Sequence, residues 1–322
     1  MKSKRVLFVA AGIALMVLSA CAYDKMNHRE SVTILSDEFD TVDAKGTQNG
    51  GGTTRVYHVD NFEKLKASGA FTVNYQQADR YEVKLTGEEK DLAAIQVYVD
   101  EGKLVLEKKR NDGKKMGLIV VDIVAPRLNS VDNSGKMKFC AQDFKAEDLL
   151  IDNSGSLRWE TGAITCRSLK IDDSGSGSLV CNVRAKELVK LDLSGAFNFN
   201  GNIECDGFVD YDNSGSDNFA GKIKAKSMEM DNSGAANWNV DIEGDNLKID
   251  TSGSCTAELK FKSGSMHLEN SGVGKMEIEC YCAKLYAKSS GVSTIRFKGT
   301  VDDAKLSSTG VTKIDSEQLN LY

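Results

Sequence analysis

The dipeptide Ser-Gly recurs at a near-constant interval across more than half of this 322-residue chain. Its glycines stand at 135, 155, 175, 195, 215, 234, 253, 272 and 291, and Thr309-Gly310 adds a tenth. The first four intervals are 20 residues and the next five are 19. Such a period marks a stacked repeat, in which no unit can bury its apolar face alone. Length then measures the number of stacked units, not the number of compact domains.

Side chains alternate around each glycine. Four residues before it stand Val131, Ile151, Ile171, Leu191 and Tyr211; four after it stand Phe139, Trp159, Leu179, Phe199 and Phe219. Even offsets are apolar and odd offsets mainly polar, the period of a strand with one buried face. The units are too short for two helices, and the Leu-x-x-Leu-x-Leu pattern of leucine-rich repeats is missing. These features predict an all-β fold: a single-stranded, parallel, right-handed β-helix solenoid with 19–20 residues per coil and about ten coils. Coils would stack at about 4.8 Å. Glycine would recur because each coil bends at one corner, through a left-handed φ or a close backbone approach. Pro126 is the sole proline, as expected where every strand donates hydrogen bonds to a neighbour.

The N-terminus reads as an address. Lys2, Lys4 and Arg5 precede an apolar stretch from Val6 to Leu18, too short to span a bilayer. Leu18-Ser19-Ala20-Cys21 resembles the lipobox of bacterial lipoproteins. That resemblance implies cleavage before Cys21 and a lipid on its sulfur, so the chain would be anchored to a membrane without crossing it. The expected organisation is a signal peptide over 1–20, a lipidated Cys and flexible tether over 21–55, irregular N-terminal coils or cap over 56–127, and the regular β-helix over 128–322. A separate small β domain is the alternative for 56–127. Ala22 is not an acidic residue of the kind that can mark inner-membrane retention, which favours the outer membrane, on its periplasmic face or at the cell surface.

Three short motifs occur in a distinctive order: Asn61-Phe62-Glu63-Lys64-Leu65-Lys66-Ala67-Ser68-Gly69, Gly102-Lys103-Leu104-Val105-Leu106, and Ala125-Pro126-Arg127-Leu128 before the Ser-Gly coils. With them the chain resembles the head GIN domain family of putative auto-transporter adhesins, common as lipoproteins in Bacteroides-type bacteria. The resemblance covers about residues 56–322. It implies a β-helical, secreted or surface protein and brings no catalytic residues.

The repeat also builds columns. Two residues before the glycines stand Asn133, Asn153, Asp173, Asn213, Asn232, Thr251, Asn270, Ser289 and Ser308, with Leu193 interrupting. The even offset points them inward, where stacked amides would bond along the rod axis. Three residues before stand Asp132, Asp152, Asp172, Asp192, Asp212, Asp231 and Asp250, then Glu269, with Lys288 and Ser307 ending the run. These carboxylates point outward and repel one another. Local bonding to the turn backbone, simple solvation, or Ca²⁺ binding would each account for them. The serines before each glycine add a hydroxyl-lined strip, which is either tight turn chemistry alone or a dock for a glycan or a protein.

Seven cysteines follow Cys21: Cys140, Cys166, Cys181, Cys205, Cys255, Cys280 and Cys282. The odd number cannot pair fully within one chain, and core thiols are the leading expectation, ahead of disulfides and a metal. The net charge of −6 with no basic stripe argues against nucleic-acid binding. Coils of constant length leave no room for the loops that wall a catalytic cleft, and no nucleophile or nucleotide motif is present. The expected function is therefore non-enzymatic: a lipid-anchored envelope β-helix presenting an extended surface for adhesion. Assembly of rods through their ends into homo-oligomers is the alternative, and a polysaccharide-acting enzyme a more distant one. No catalytic residue, metal site or cofactor is expected beyond the Ca²⁺ option.

Overall fold

A computed structural model describes residues 52–109 and 116–322. The expected signal peptide, Cys21 and most of the expected tether lie outside the described residues. The structure is a β-solenoid of about ten stacked turns. A typical coil is one long strand wrapped from one Ser-Gly corner to the next: β12 (Ser156–Asp173), β13 (Ser176–Leu193), β14 (Ala196–Asn213) and β15 (Ser216–Asn232). Later coils divide at a second bend, giving β16 (Ala235–Glu243), β17 (Asn246–Thr251), β18 (Ser254–Lys262) and β19 (Ser265–Asn270). The rod continues through β20 (Val273–Ser289), β21 (Val292–Ser308) and β22 (Lys313–Leu321). Neighbouring coils pair in parallel, Ile151 with Ile171 and Ile171 with Leu191, so each repeat position becomes a column along the rod.

The corner glycines are required by contact, not by backbone angle. The nine from Gly135 to Gly291 do not have a left-handed φ; among the ten, Gly310 alone does, at 76°. A Cβ on Gly195 would lie 2.1 Å from the carbonyl oxygen of Gly175, and the same collision recurs at 1.8–2.2 Å from Gly135 to Gly291. No side chain fits between successive corners. The column starts earlier than the regular repeat, because Gly135 sits against Gly69.

That first rung explains the N-terminal part. β2 (Lys64–Ser68) and β3 (Ala70–Gln77) pair in parallel with β8 (Ser130–Asn133) and β9 (Lys136–Ala141). The chain between them makes an excursion. β6 (Lys103–Lys108) and β7 (Ile119–Ala125) return to lie parallel against the other edges of β2 and β3. Antiparallel strands finish this end: β4 (Glu82–Gly87) on β7, β1 (Thr53–Tyr57) on β4, and β5 (Ile95–Asp100) on β6, with a short helix α1 (Glu89–Ala93) between β4 and β5. Residues 53–55, assigned above to the tether, belong to β1. Their run Thr-Thr-Arg-Val-Tyr is rich in β-branched residues and pairs with β4 from Thr53 to Tyr57.

One apolar core runs from Phe62 to Val301. Stacked aromatics fill it, with Phe139 and Trp159 at 3.9 Å between ring centres and Phe199 and Phe219 at 4.7 Å. The shortening from 20 to 19 residues happens opposite the bend of β14. There Cys205 pairs with Ala225 but Phe208 with Ser227, so one residue has dropped out. An extra residue in β12 between Glu160 and Ala163 flips the strand parity locally, which buries Cys166 at an odd offset. All seven of these cysteines are buried, and none forms a disulfide among the described residues. Burial pushes the Cys166, Cys181 and Cys255 thiols up to about 12.

Two acids are sealed in this core. Asp173 is 1% exposed and Asp217 3%. Neither oxygen of Asp217 has a hydrogen-bond partner among the described residues. Burial raises its pKa to about 7; the Tyr211 hydroxyl and the Trp238 indole N–H nearby offset only part of that. Asp173 is raised by burial to about 6, offset in part by the Asn153 hydrogen bond and the nearby Gly175 N–H.

Two outcomes follow. Gly195→Ala must push two coils apart and lowers stability by roughly 3 kcal/mol or more in urea unfolding, whereas Ala196→Ser, pointing outward next to it, changes stability by under about 0.5 kcal/mol. For Asp217 the folded state binds the proton more tightly than the unfolded chain. Its contribution is therefore fully present below the unfolded pKa of 3.8 and is lost as pH rises through about 7. The loss reaches about 4 kcal/mol, so Asp217→Asn removes most of this pH dependence and exceeds the native chain in melting temperature at pH 8.

Candidate functional site

The outward acids form one unbroken column. Asp132, Asp152, Asp172, Asp192, Asp212, Asp231, Asp250 and Glu269 are in direct register from coil to coil. A cation closes each end. Lys66 of β2 registers with Asp132 and bridges it at 3.8 Å, and Lys288 follows Glu269. Within the column, Lys170 approaches Asp172 at 3.8 Å and Lys248 approaches Asp250 at 2.8 Å. Those ammonium groups do not neutralise the whole run. Asp152 is held above the usual carboxylate range, by partial burial and then by the charges of Asp132 and Asp172. Asp231 is raised too, by burial and then by Glu229, with Asp250 and Asp212 adding to it.

The corner does not draw on these carboxylates. Among the described residues, the turn backbone donates instead to the inward column: the Asn133, Asn213 and Asn270 Oδ1 atoms accept from the N–H groups of Gly135, Gly215 and Gly272 at 3.2, 3.0 and 3.2 Å. The local backbone bonding expected of the aspartates is thus made one position later, by asparagine. The amides also bond along the axis. Asn133 Nδ2 donates to Asn153 Oδ1 at 2.7 Å, Asn153 Nδ2 to Asp173 Oδ2 at 2.7 Å, and Asn213 Nδ2 to Asn232 Oδ1 at 2.8 Å. Asn270 Nδ2 donates to Ser289 Oγ at 2.8 Å.

Beside the acids runs the serine strip. Ser233, Ser252, Ser271 and Ser290 are exposed and, with Asp231, Asp250 and Glu269, line a shallow groove of about 360 Å³. It therefore offers a row of carboxylates and a parallel row of hydroxyls, both repeating at about 4.8 Å. Glu229, Asp231 and Asp250 bring oxygens within 4.8 Å of one another, a possible cation cluster. The cation already there is the Lys248 ammonium, which bonds both Glu229 and Asp250 and whose own pKa is raised by Asp250 and then Glu229.

The opposite kind of surface lies elsewhere on the rod. A second groove, of about 520 Å³, is flanked by Arg184, Glu204, Lys224, Glu243 and Lys262. These five are in register and alternate in sign. Sequence reasoning missed this groove because odd positions were read for one corner only. The alternation was visible at the same spacing.

The acidic face presents hydrogen-bond acceptors and negative charge to solvent. The two carboxyls that burial raises furthest, Asp173 and Asp217, face the core and not either groove.

Comparison with known proteins gives a family match over residues 61–201 and 240–321, described as "putative auto-transporter adhesin, head GIN domain". Among solved structures, the chain is similar to a putative adhesin from Bacteroides fragilis, with 18% identity, 84% of this chain and 97% of that one covered, and a TM-score of 0.37. A putative lipid binding protein from Parabacteroides distasonis shows 17% identity, coverage of 85% and 98%, and a TM-score of 0.40. A putative adhesin from Parabacteroides merdae shows 18%, 85% and 98%, and 0.37. No curated protein matches. The family match spans most of the chain, and the protein belongs to the head GIN domain family of putative auto-transporter adhesins.

Proposed function

We propose that this protein is a lipid-anchored adhesin of the outer membrane, held through Cys21, whose acidic corner face binds a glycan or protein ligand. The observation that carries the reading is the unbroken register of eight acids beside exposed serines. A like-charged column costs folding energy, and here the corner is bonded by the asparagines instead. Lysines bridge Asp132, Asp172 and Asp250, and the remaining carboxylates of the column are available to a partner. Carboxylates accept pairs of hydrogen bonds from vicinal hydroxyls or from guanidinium groups, and a rigid column presents them without an ordering cost. Many weak contacts repeated along one polymer then sum by multivalency. The family supports an adhesive role, and the lipobox-like Leu18-Ser19-Ala20-Cys21 supports the anchor.

The binding arm is tested with the full chain on glycan and envelope-protein arrays. The triple change Asp212→Asn, Asp231→Asn and Asp250→Asn weakens the bound signal at least about 10-fold, while thermal stability holds or rises because repulsion is relieved. Unchanged binding by the triple variant would move the site off this face. The anchor is tested by cell fractionation. Cys21→Ser shifts the chain from the membrane to the soluble fraction, and protease treatment of intact cells releases the native rod; retention of Cys21→Ser in the membrane would remove the lipid.

A further inference from the structure

The wall of the rod between the Ser-Gly corner and the second bend carries its charges in bands. On β14 the outward residues there are Glu204 and Asp206; on β15 they are Lys222, Lys224 and Lys226. The next coil returns to acid with Asp241, Glu243 and Asp245. β18 then turns basic with Lys260 and Lys262. Register stacks the bands directly, Glu204 on Lys224, Lys224 on Glu243 and Glu243 on Lys262. The Asp245 N–H donates to the Lys226 carbonyl at 3.0 Å, so the band edges are stacked as well. Each coil therefore shows one sign across its width, and the sign reverses at every step of about 4.8 Å.

The isolated rod makes little use of this pattern. Lys224 reaches Glu243 only at 3.9 Å, and Lys222, Lys226, Asp241 and Asp245 form no ion pair among the described residues. Like charges two apart on one strand stand about 7 Å from each other and repel. A chequered arrangement would keep the attraction between coils and add attraction along each strand. The gain from bands lies outward. A row of like charges carries its field further from the surface, and it meets an opposite row without exact alignment along the strand.

We propose that this face joins two copies of the chain, side by side with their rods antiparallel. A facing surface matches only if its charges reverse at the same step of about 4.8 Å, which is the rise of stacked parallel coils. A second copy supplies that step. Two-fold symmetry closes such a dimer. An axis along the rod would set each band against itself. An axis across the rod, between β15 and the β16 coil, sets every band against one of opposite sign. Lys222, Lys224 and Lys226 of one copy then meet Asp241, Glu243 and Asp245 of the other, each contact occurring twice, and Lys262 meets Glu204. The pairs are individually weak and screened by salt, and they act together because both frames are rigid. The acid column lies past the second bend, where β17 carries Asp250, and stays uncovered. The dimer and the ligand-binding reading thus stand or fall separately.

The test follows the oligomeric state of the full chain by sedimentation in mild detergent, over a series of protein concentrations. The native chain dimerises in about 50 mM NaCl, and about 500 mM NaCl weakens the association at least about 10-fold. Lys222→Glu with Lys224→Glu and Lys226→Glu makes both central bands acidic; Asp241→Lys with Glu243→Lys and Asp245→Lys makes both basic. Each triple variant alone self-associates at least about 10-fold more weakly. An equal mixture of the two regains association, because every central contact again joins opposite signs. Association through the N-terminus is common to all these proteins and cannot produce that pattern. Circular dichroism confirms that each variant is folded; where one is not, its neutral Gln or Asn counterpart replaces it and still weakens self-association. A native chain that stays monomeric in low salt, association that the triple variants leave unchanged, or folded charge-reversed variants whose mixture stays apart would each overturn the interface.

Discussion

The structure depends on one close contact: the carbonyl of each corner glycine against the Cα of the next. The carbonyls of Gly135, Gly155 and Gly175 accept from the N–H groups of Ser156, Ser176 and Ala196 at 2.8, 2.8 and 2.9 Å. Those bonds form only because nothing projects from the glycine between them. A coil with a larger residue there would sit higher on one side, and its two flanks would lose register. Because the corner admits no slip, every other position inherits a fixed neighbour. The aromatic stacks, the amide column and the acid column are all consequences of that register. A one-residue slip would turn each inward side chain outward.

That dependence also explains which parts of the molecule were legible beforehand. A contact that excludes Cβ leaves a visible mark, glycine at a constant interval, and the parity of flanking residues follows from it. The acid and amide columns were readable for the same reason. Three features were not. The Gly-on-Gly contact and a left-handed turn ask for the same residue, so the sequence could not choose between them. The inward Asn and outward Asp differ by one position and have similar turn chemistry, which concealed which of them bonds the corner. The excursion from β3 to β8 was opaque because β6 and β7 follow β2 and β3 in sequence but lie on their other side in space. Sequence order is a guide to spatial order only while coils are consecutive. Single-residue length changes are absorbed at bends: the one at Cys205–Phe208 shortens the glycine interval without showing its place in the coil, and the one at Glu160–Ala163 is cancelled before the next corner.

The inward column shows what interruption does. Leu193 takes the place of an amide between Asp173 and Asn213. Below it, Asp173 accepts from Asn153 on one oxygen, while the other has no partner among the described residues. Leucine offers nothing to bond, so the acid holds its proton more tightly than a carboxyl in water. Above it the ladder restarts at Asn213 with its own turn bond and axial bond. The column is therefore two short polar networks separated by an apolar plug, each satisfied largely within itself. Asp217 stands outside both networks, which is why its displacement is larger.

The two outer grooves separate what the fold imposes from what the residues add. Both are rows of side chains on the same ladder, with the same spacing and the same solvent. Along one, Arg184, Glu204, Lys224, Glu243 and Lys262 alternate in sign, and pairs such as Arg184 with Glu204 and Lys224 with Glu243 approach to 3.9 Å. Along the other, eight acids follow one another. A stacked repeat does not demand identical charges in a column, because the alternating row folds on the same frame and gains attraction at every step. The acidic row forgoes that attraction across eight coils and takes cations chiefly at its ends and from Lys170 and Lys248 at its flank. Its negative potential is thus a property of the residues placed on the frame, directed outward along eight successive coils.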